Sequence, residues 1–540
     1  MLRCFALWLL PLILGAANTS APTITGVVNA ASNRAPGLSA SGIAQGSIFT
    51  IYGSNLGPNI CGATLAFPLQ TTMCGVTLTV TVNGTSTAPI PIGVFGYQIN
   101  AILPSLTPTG TGTITVTYAG QPSVGTPIQV VSAAFGTFTP TYGYGSASVT
   151  DTDYKLNTII HTLHPGDVGV LWGTGLGPIA ASDGAGVAPG NLPGPFTVYV
   201  GNTPVAPSYA GRSGCCAGLD QVVFTVPSGV QGCYVPIAVQ AGGAVGNIGT
   251  IAVAPVGQDA CSDSVIGQDL INKLAGGNKV DFGNIRLESI NLTFSGLTIS
   301  GSVGNGDYAY ATFSEFTPQT AFYAEYGVSS GYCTMYNSSD LSIAQLDAGS
   351  GLSLQGPLLA PGPIAPAYAG SGSYALLLTQ SIAKFLYSDV NYTVAGTGGS
   401  SVGAFTVTDT TSLPDAKLSG LVGQSISRSS DLTVQWTGGN SALENGQVTI
   451  AGYSGTGTDV TSVASSFICK APVSAQRFTI PSWVLSTLPA SGSYMVGATS
   501  IPIGYIWIGQ DNQPTTFQAS GLDRGVITDV FYQGVILPYQ

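Results

Sequence analysis

Ala44-Gln45-Gly46-Ser47-Ile48-Phe49-Thr50-Ile51-Tyr52-Gly53-Ser54-Asn55-Leu56-Gly57-Pro58 is answered further along the chain by His164-Pro165-Gly166-Asp167-Val168-Gly169-Val170-Leu171-Trp172-Gly173-Thr174-Gly175-Leu176-Gly177-Pro178. Each copy reads as a turn at Gly46 or Gly166, a strand ending on an aromatic, and a glycine-rich loop closed by proline. The downstream segments repeat in the same order. Thr79-Val80-Thr81-Val82-Asn83-Gly84 is matched by Thr197-Val198-Tyr199-Val200-Gly201-Asn202, and Gln98-Ile99-Asn100-Ala101-Ile102-Leu103-Pro104 by Gln221-Val222-Val223-Phe224-Thr225-Val226-Pro227. Self-similarity at a spacing of roughly a hundred residues means tandem domains, since solenoid repeats recur every 20–50 or so.

The repeat divides the chain. Residues 22–135 form the first copy, and residues 136–256 the second, entered through Thr141-Tyr142-Gly143-Tyr144-Gly145. Within the first, Val76, Leu78, Val80 and Val82 alternate with threonines, the pattern of a half-buried strand, and Asn83-Gly84 marks a tight turn. Residues 257–408 read as a β-rich module with one short helix over Asp269–Leu274, and residues 409–540 as a separate β-sandwich-like module. Leu432-Thr433-Val434-Gln435-Trp436 and Gln447-Val448-Thr449-Ile450 are strands there, and one helical turn is expected near Trp483. The fold class is all-β: tandem immunoglobulin-like sandwiches followed by further β-rich modules.

Residues 1–17 read as a secretory signal peptide, with Arg3 in a short basic start, an apolar run from Phe5 to Leu14 and small residues at 15–17. No later stretch reaches the ~18 apolar residues of a membrane span. The expected location is therefore extracellular or on the cell surface. Beyond Cys4, eight cysteines remain, an even number that in an exported chain favours disulfides over metal thiolates. Cys61 pairs most simply with Cys74 across one loop. Cys215 and Cys216 are expected to pair with Cys233 and Cys261 in some order, which leaves Cys333 with Cys469. Only 7% of the 540 residues are charged, with a net charge of −11. That balance opposes binding to nucleic acid or anionic lipid; the expected partner is an extracellular protein or polysaccharide surface.

The G-S-x-x-T-I-Y-G-S-N-L-G-P stretch, the Asn-Gly turn, the Gln98–Pro104 strand and Cys215-Cys216-Ala217-Gly218-Leu219-Asp220-Gln221 resemble the duplicated extracellular domain abundant in acidobacterial proteins, which is itself similar to IPT/TIG immunoglobulin-like modules. The resemblance covers about residues 24–256. It implies a β-sandwich in each copy and brings no activity with it.

Candidate chemistry is sparse. His161 and His164 lack the further ligands zinc requires. Gly327-Val328-Ser329-Ser330-Gly331 and Gly399-Ser400-Ser401-Val402-Gly403 fit G-x-S-x-G, but neither leads into a helical pattern and no histidine follows. Gly173-Thr174-Gly175-Leu176-Gly177 precedes a proline rather than the helix a phosphate loop needs. Asp307, Glu315, Glu325, Asp340 and Asp347 are acids of the type glycoside hydrolysis pairs across a cleft, and read singly as solvated loop residues. Asp151, Asp153 and the Gly304-Asn305-Gly306-Asp307 turn offer oxygens suited to calcium without the full ligand set; no cofactor is expected, with calcium the alternative.

Tyrosines crowd one stretch: Tyr308, Tyr310, Tyr323, Tyr326, Tyr332 and Tyr336. Exposed, such rings contact sugars or partner surfaces; otherwise they fill strand positions. The sequence thus points to a non-enzymatic secreted or surface protein with a structural, adhesion or interaction role. The alternatives are glycan binding through Tyr308, Tyr310, Tyr323 and Tyr326, and a polysaccharide hydrolase within residues 257–540.

Overall fold

Strand Val76–Val82 buries its four aliphatic side chains and turns its threonines outward, as the alternation requires. The computed structural model describes residues 20–63, 66–262, 267–294, 297–298, 306–318, 320, 327–336, 344–357, 362–364, 372–377, 385–412, 416–443, 446–459 and 462–540. Residues 1–17, read as a signal peptide, lie outside these.

Two packed antiparallel sheets build the first repeat. In one, Ile48–Ser54 lies between Thr23–Asn29 and Gln98–Ile102; in the other, Gly110–Tyr118 lies between Val76–Val82 and Thr126–Val131. Phe49, Ile51, Leu78, Val80, Ile99 and Ile114 meet between them. The second repeat uses the same plan. Val168–Thr174 lies between Gly136–Thr137 and Asp220–Thr225, and Gly232–Ala241 pairs with Thr197–Val200 and Gly249–Val253. These are immunoglobulin-like sandwiches, each closing over its own apolar core.

The glycine-rich loop of the second copy forms the joint between them. Arg212 and Asp220, 2% and 0% exposed, form an ion pair at its base. Asp220 Oδ2 accepts the amides of Gly175 and Leu176, each at 2.8 Å. Arg212 Nη2 donates to the carbonyls of Gly177 (2.8 Å) and of Gly46 in the first repeat (2.9 Å). Gly46 has φ +71°, and a Cβ there would stand 2.2 Å from Arg212 Nη2, so the turn at Gly46 admits no side chain. Thr174 Oγ1 accepts the Ile48 amide at 2.8 Å and donates to Gly218 O at 2.7 Å. Asp183 accepts from Ser105 N and Oγ at 2.7 and 2.9 Å.

The remainder is organised on one large sheet. Its main order is Cys333–Tyr336, Ala464–Pro472, Gln447–Gly455, Gly504–Asp511, Arg524–Ile536, Val280–Phe294, Gly306–Phe316 and Ala344–Gln345. The division expected at residue 408 is therefore corrected. Val280–Phe294 runs parallel to Arg524–Ile536 from Phe282↔Arg524 to Thr293↔Val535, so strands from both proposed modules share one sheet. Two small sheets cover one face of it. Leu352–Gln355, Asn391–Gly396 and Phe405–Thr410 pack on one half through Ile285, Leu287, Phe313 and Tyr392; Lys417–Ser419, Leu432–Thr437 and Arg477–Ile480 pack on the other through Trp436, Ile450, Phe467 and Ile506. Helices occupy Gln268–Ala275 and Ser482–Leu485. Ala238, Val245 and Ile248 of the second repeat join the second of these cores, and Tyr199 stacks on Trp483 at 4.9 Å.

Four disulfides link the eight cysteines: Cys61–Cys74, Cys215–Cys216, Cys233–Cys261 and Cys333–Cys469. The exchange expected between Cys215, Cys216 and the pair Cys233, Cys261 does not occur. Gly218 and Ala217, beside Cys216, pack on Ile48 and Ile102 of the first repeat, whereas Cys233 sits in the cluster of helix Gln268–Ala275 at the other end. Cys215 and Cys216 therefore close on each other. Proteolysis under non-reducing conditions is expected to return both on one peptide unlinked to Cys233, as read by mass spectrometry; a cross-link to Cys233 would overturn the assignment. At the joint, Arg212→Ala leaves Asp220 buried without its partner and is expected to lower unfolding free energy by about 3–5 kcal/mol, with Arg212→Ala/Asp220→Ala recovering part. Urea titration reads both, and a loss within about 1 kcal/mol would contradict the role given to the pair.

Candidate binding face

Strand Gly504–Asp511 alternates between buried and half-buried positions over residues 504–508. Ile506 and Ile508 face the covered core, so Tyr505, Trp507, Gly509 and Asp511 line the opposite face. Neighbouring strands extend that face. Tyr453 lies opposite Tyr505, and their rings stack at 5.1 Å and 13°. Trp507 lies opposite Gly534, and Tyr532 opposite Gly509. Each ring leans across the facing glycine: a Cβ on Gly509 would fall 2.1 Å from the Tyr532 ring, and one on Gly534 would fall 2.6 Å from Trp507 Cβ. The two glycines let the Trp507 and Tyr532 rings approach to 3.9 Å.

Where this face meets the second repeat, a cleft of about 290 Å³ opens, lined by Tyr453, Tyr505, Trp507 and Phe467 and by Tyr144 of the linker. That volume is close to the small end of ligand pockets, about 300–1,000 Å³. Tyr144 is held from behind. Asn247 Nδ2 donates to Gly143 O at 3.0 Å, and buried Arg34 donates to Thr487 O at 2.7 Å. Burial pushes the Tyr144 hydroxyl above its ordinary pKa, with Arg34 pulling the other way. Ser465 also lines the cleft, and its buried hydroxyl has no hydrogen-bond partner among the described residues.

Toward the other edge, Arg286 donates to Asp511 at 2.7 Å and to Glu288 and Tyr532. Desolvation works against its charge, and Asp511, Tyr532 and Glu288 outweigh it, raising the guanidinium pKa. Beyond it stand Tyr308 and Tyr310, stacked at 5.9 Å and 11°. Tyr323 and Tyr326 lie outside the described residues, as do Glu325 and Asp340. The sequence reading missed Tyr453, Tyr505, Trp507 and Tyr532, which are spread over some eighty residues; the one local signal was the aromatic–isoleucine alternation of Tyr505-Ile506-Trp507-Ile508.

The remaining candidates are engaged in holding turns and strands. Asp307 accepts the amides of Phe385 and Leu386; Glu315 pairs with Lys279 at 2.6 Å; Asp347 accepts Ser400 N and Oγ at 2.9 and 2.8 Å. Asp151 receives the amides of Asp153 and Lys155 and faces His161 at 3.0 Å. His164 lies between Asp167 Oδ2 (2.9 Å) and Gln258 O (3.0 Å), and the Asp167 bond, against some desolvation, raises its pKa. Ser329 Oγ accepts the Tyr234 amide. Among the described residues no group of three or more His, Cys, Asp or Glu side chains could hold a metal ion, and no helix is long and apolar enough to cross a membrane.

One acid pair was not foreseen. Asp409 and Asp529 are 3% and 0% exposed where the Phe405–Thr410 strand packs on Arg524–Ile536. Asp409 Oδ1 accepts Thr515 Oγ1 at 2.6 Å, while Oδ2 meets no donor among the described residues. Asp529 accepts Asn512 Nδ2 and Ser412 N. Burial and the adjacent Asp409 carboxyl raise Asp529 to about 7, so its carboxyl is about half protonated at neutral pH. The enclosure of both carboxyls leaves no approach for a substrate.

No family model matches the chain, and no curated protein matches it. Similar solved structures include the plexin A4 extracellular region (15% identity over 43% of this chain, TM-score 0.16), of which the chain spans 18%. SGBP-B from a complex xyloglucan utilization locus in Bacteroides uniformis shares 10% identity, with 96% of this chain and 100% of that one covered and a TM-score of 0.16. The I9–I11 tandem of titin shares 8%, covering 68% and 92%, with a TM-score of 0.14. The fold rests on the sheets themselves.

The acid pair has a measurable sign. Asp529 titrates higher folded than its ordinary 3.8, so its protonated form stabilises the fold at low pH, and that contribution is lost as pH rises from about 4 through about 7. Asp409→Asn places an amide donor where the proton sits and removes the like charge. Urea titrations at pH 5 and pH 8 are expected to show a smaller pH difference for this variant than for the parent; an unchanged difference would show that the pair does not set the pH dependence.

Proposed function

We propose that the protein is a non-catalytic extracellular binding protein in which the large sheet that follows the immunoglobulin-like repeats carries a carbohydrate-binding face. The observation that carries this reading is the cleft in which Tyr453, Tyr505 and Trp507 present half-buried rings beside Tyr144. The C–H faces of a sugar ring are apolar and faintly positive, and an aromatic face is its electrostatic complement. Rings already stacked on one another lose little freedom on binding. Four disulfides support an oxidising compartment, and the acidic balance of the chain disfavours nucleic acid.

Isothermal titration of the purified chain with neutral oligosaccharides tests the reading. Binding is expected, and Trp507→Ala is expected to weaken it roughly tenfold, a loss of about 1.4 kcal/mol. Absence of binding to every saccharide tried, or an affinity indifferent to Trp507→Ala in a folded variant, would overturn it.

A further inference from the structure

The aromatic residues do not end at the cleft. Directly opposed residues of an antiparallel pair share a face, and in the pairing of Val280–Phe294 with Gly306–Phe316, Arg286 lies opposite Tyr310 and Glu288 opposite Tyr308. Ile285, Leu287, Ala309 and Ala311 point into the covered core between them. Tyr308 and Tyr310 therefore belong to the face that carries Tyr453, Tyr505, Trp507 and Tyr532. Arg286 bridges the two halves by its bonds to Asp511 and Tyr532. Tyr453 and Tyr310 stand on the first and last of five adjoining strands, a span of roughly 19 Å at the usual inter-strand spacing. Tyr310 is 36% exposed.

The charges along this path select the ligand. In the middle of this path Arg286 is committed to Asp511, Glu288 and Tyr532, and the two carboxylates leave an excess negative charge there. The whole chain carries −11. A uronate or sulfated chain would meet repulsion locally and at long range, whereas hydroxyl groups can donate to carboxylates.

We propose that the face binds one extended, uncharged polysaccharide segment lying across the strands, with the Tyr308–Tyr310 pair as a second subsite beyond the Arg286 cluster. This rests on the carbohydrate reading of the cleft and adds length, direction and charge to it.

Calorimetric titration of the full chain with gluco-, xylo- and manno-oligosaccharides of increasing length, and with a polyuronate, tests the proposal. Affinity is expected to rise with length and to be lost for the polyuronate. Tyr310→Ala is expected to weaken long ligands by about tenfold while leaving the shortest binders unchanged, whereas Trp507→Ala weakens both. Tyr308→Ala serves as the second variant, and thermal melting checks that each is folded. Length-independent affinity, indifference to both tyrosine variants, or polyuronate binding equal to the neutral chain would overturn the extension and leave the cleft standing. Failure of every saccharide to bind would remove the cleft as well.

Discussion

The buried Arg212–Asp220 pair holds the two repeats in one arrangement. A pair this enclosed adds little stability over a well-packed apolar substitute, because desolvating two charges offsets their attraction. Its contribution is geometric. The planar guanidinium fixes three acceptors, the Asp220 carboxylate and the carbonyls of Gly46 and Gly177. The carboxylate fixes two amides of the glycine-rich loop in turn. Loop, hairpin and neighbouring repeat are thereby set by one cluster, and glycine at 46 is the condition for its closing.

From that joint, order passes outward. The second repeat is continuous with the large sheet through a shared core and the Tyr199–Trp483 stack. The linker that leaves the joint supplies Tyr144 to the cleft. The binding face is thus part sheet and part connection, and its width depends on how the repeats sit against the body. Covering one side of a broad sheet with two smaller ones leaves the other side to be dealt with, and here Tyr494 and Ile501 of the hairpin over residues 493–502 pack on the portion around Leu292 and Ile536, against the flanks of Tyr505 and Trp507.

Much of this was legible in the residues, and the parts that were not have a physical cause. The repeated stretch, the alternation of Val76–Val82 and the helix near Leu270 are local signals, set by neighbours within a few positions. Cys61 and Cys74 bracket one loop and are equally local. The parallel pairing of Val280–Phe294 with Arg524–Ile536 joins segments some 240 residues apart, and nothing in either strand names its partner; a boundary at 408 is the natural result when they are read singly. The Cys215–Cys216 link was missed because proximity among four cysteines says nothing about which end of a sandwich each occupies. Tyr308 and Tyr310 stood out by crowding. Trp507 and Tyr532 did not, since their meeting requires Gly509 and Gly534 on opposite strands.

Arg212 reaches the first repeat through a main-chain carbonyl, and Thr174 does so through a main-chain amide. Such contacts do not consult the identity of side chains. Side chains of the first repeat complete the seam: Asn29 Nδ2 donates to Thr174 O at 3.1 Å, Ser105 Oγ donates to Asp183 at 2.9 Å, and Ile48 and Ile102 receive Ala217 and Gly218. A foreign sandwich would need both the bend of the turn at Gly46 and polar side chains where Asn29 and Ser105 stand, so the seam limits how freely either repeat can be recombined or can drift in sequence.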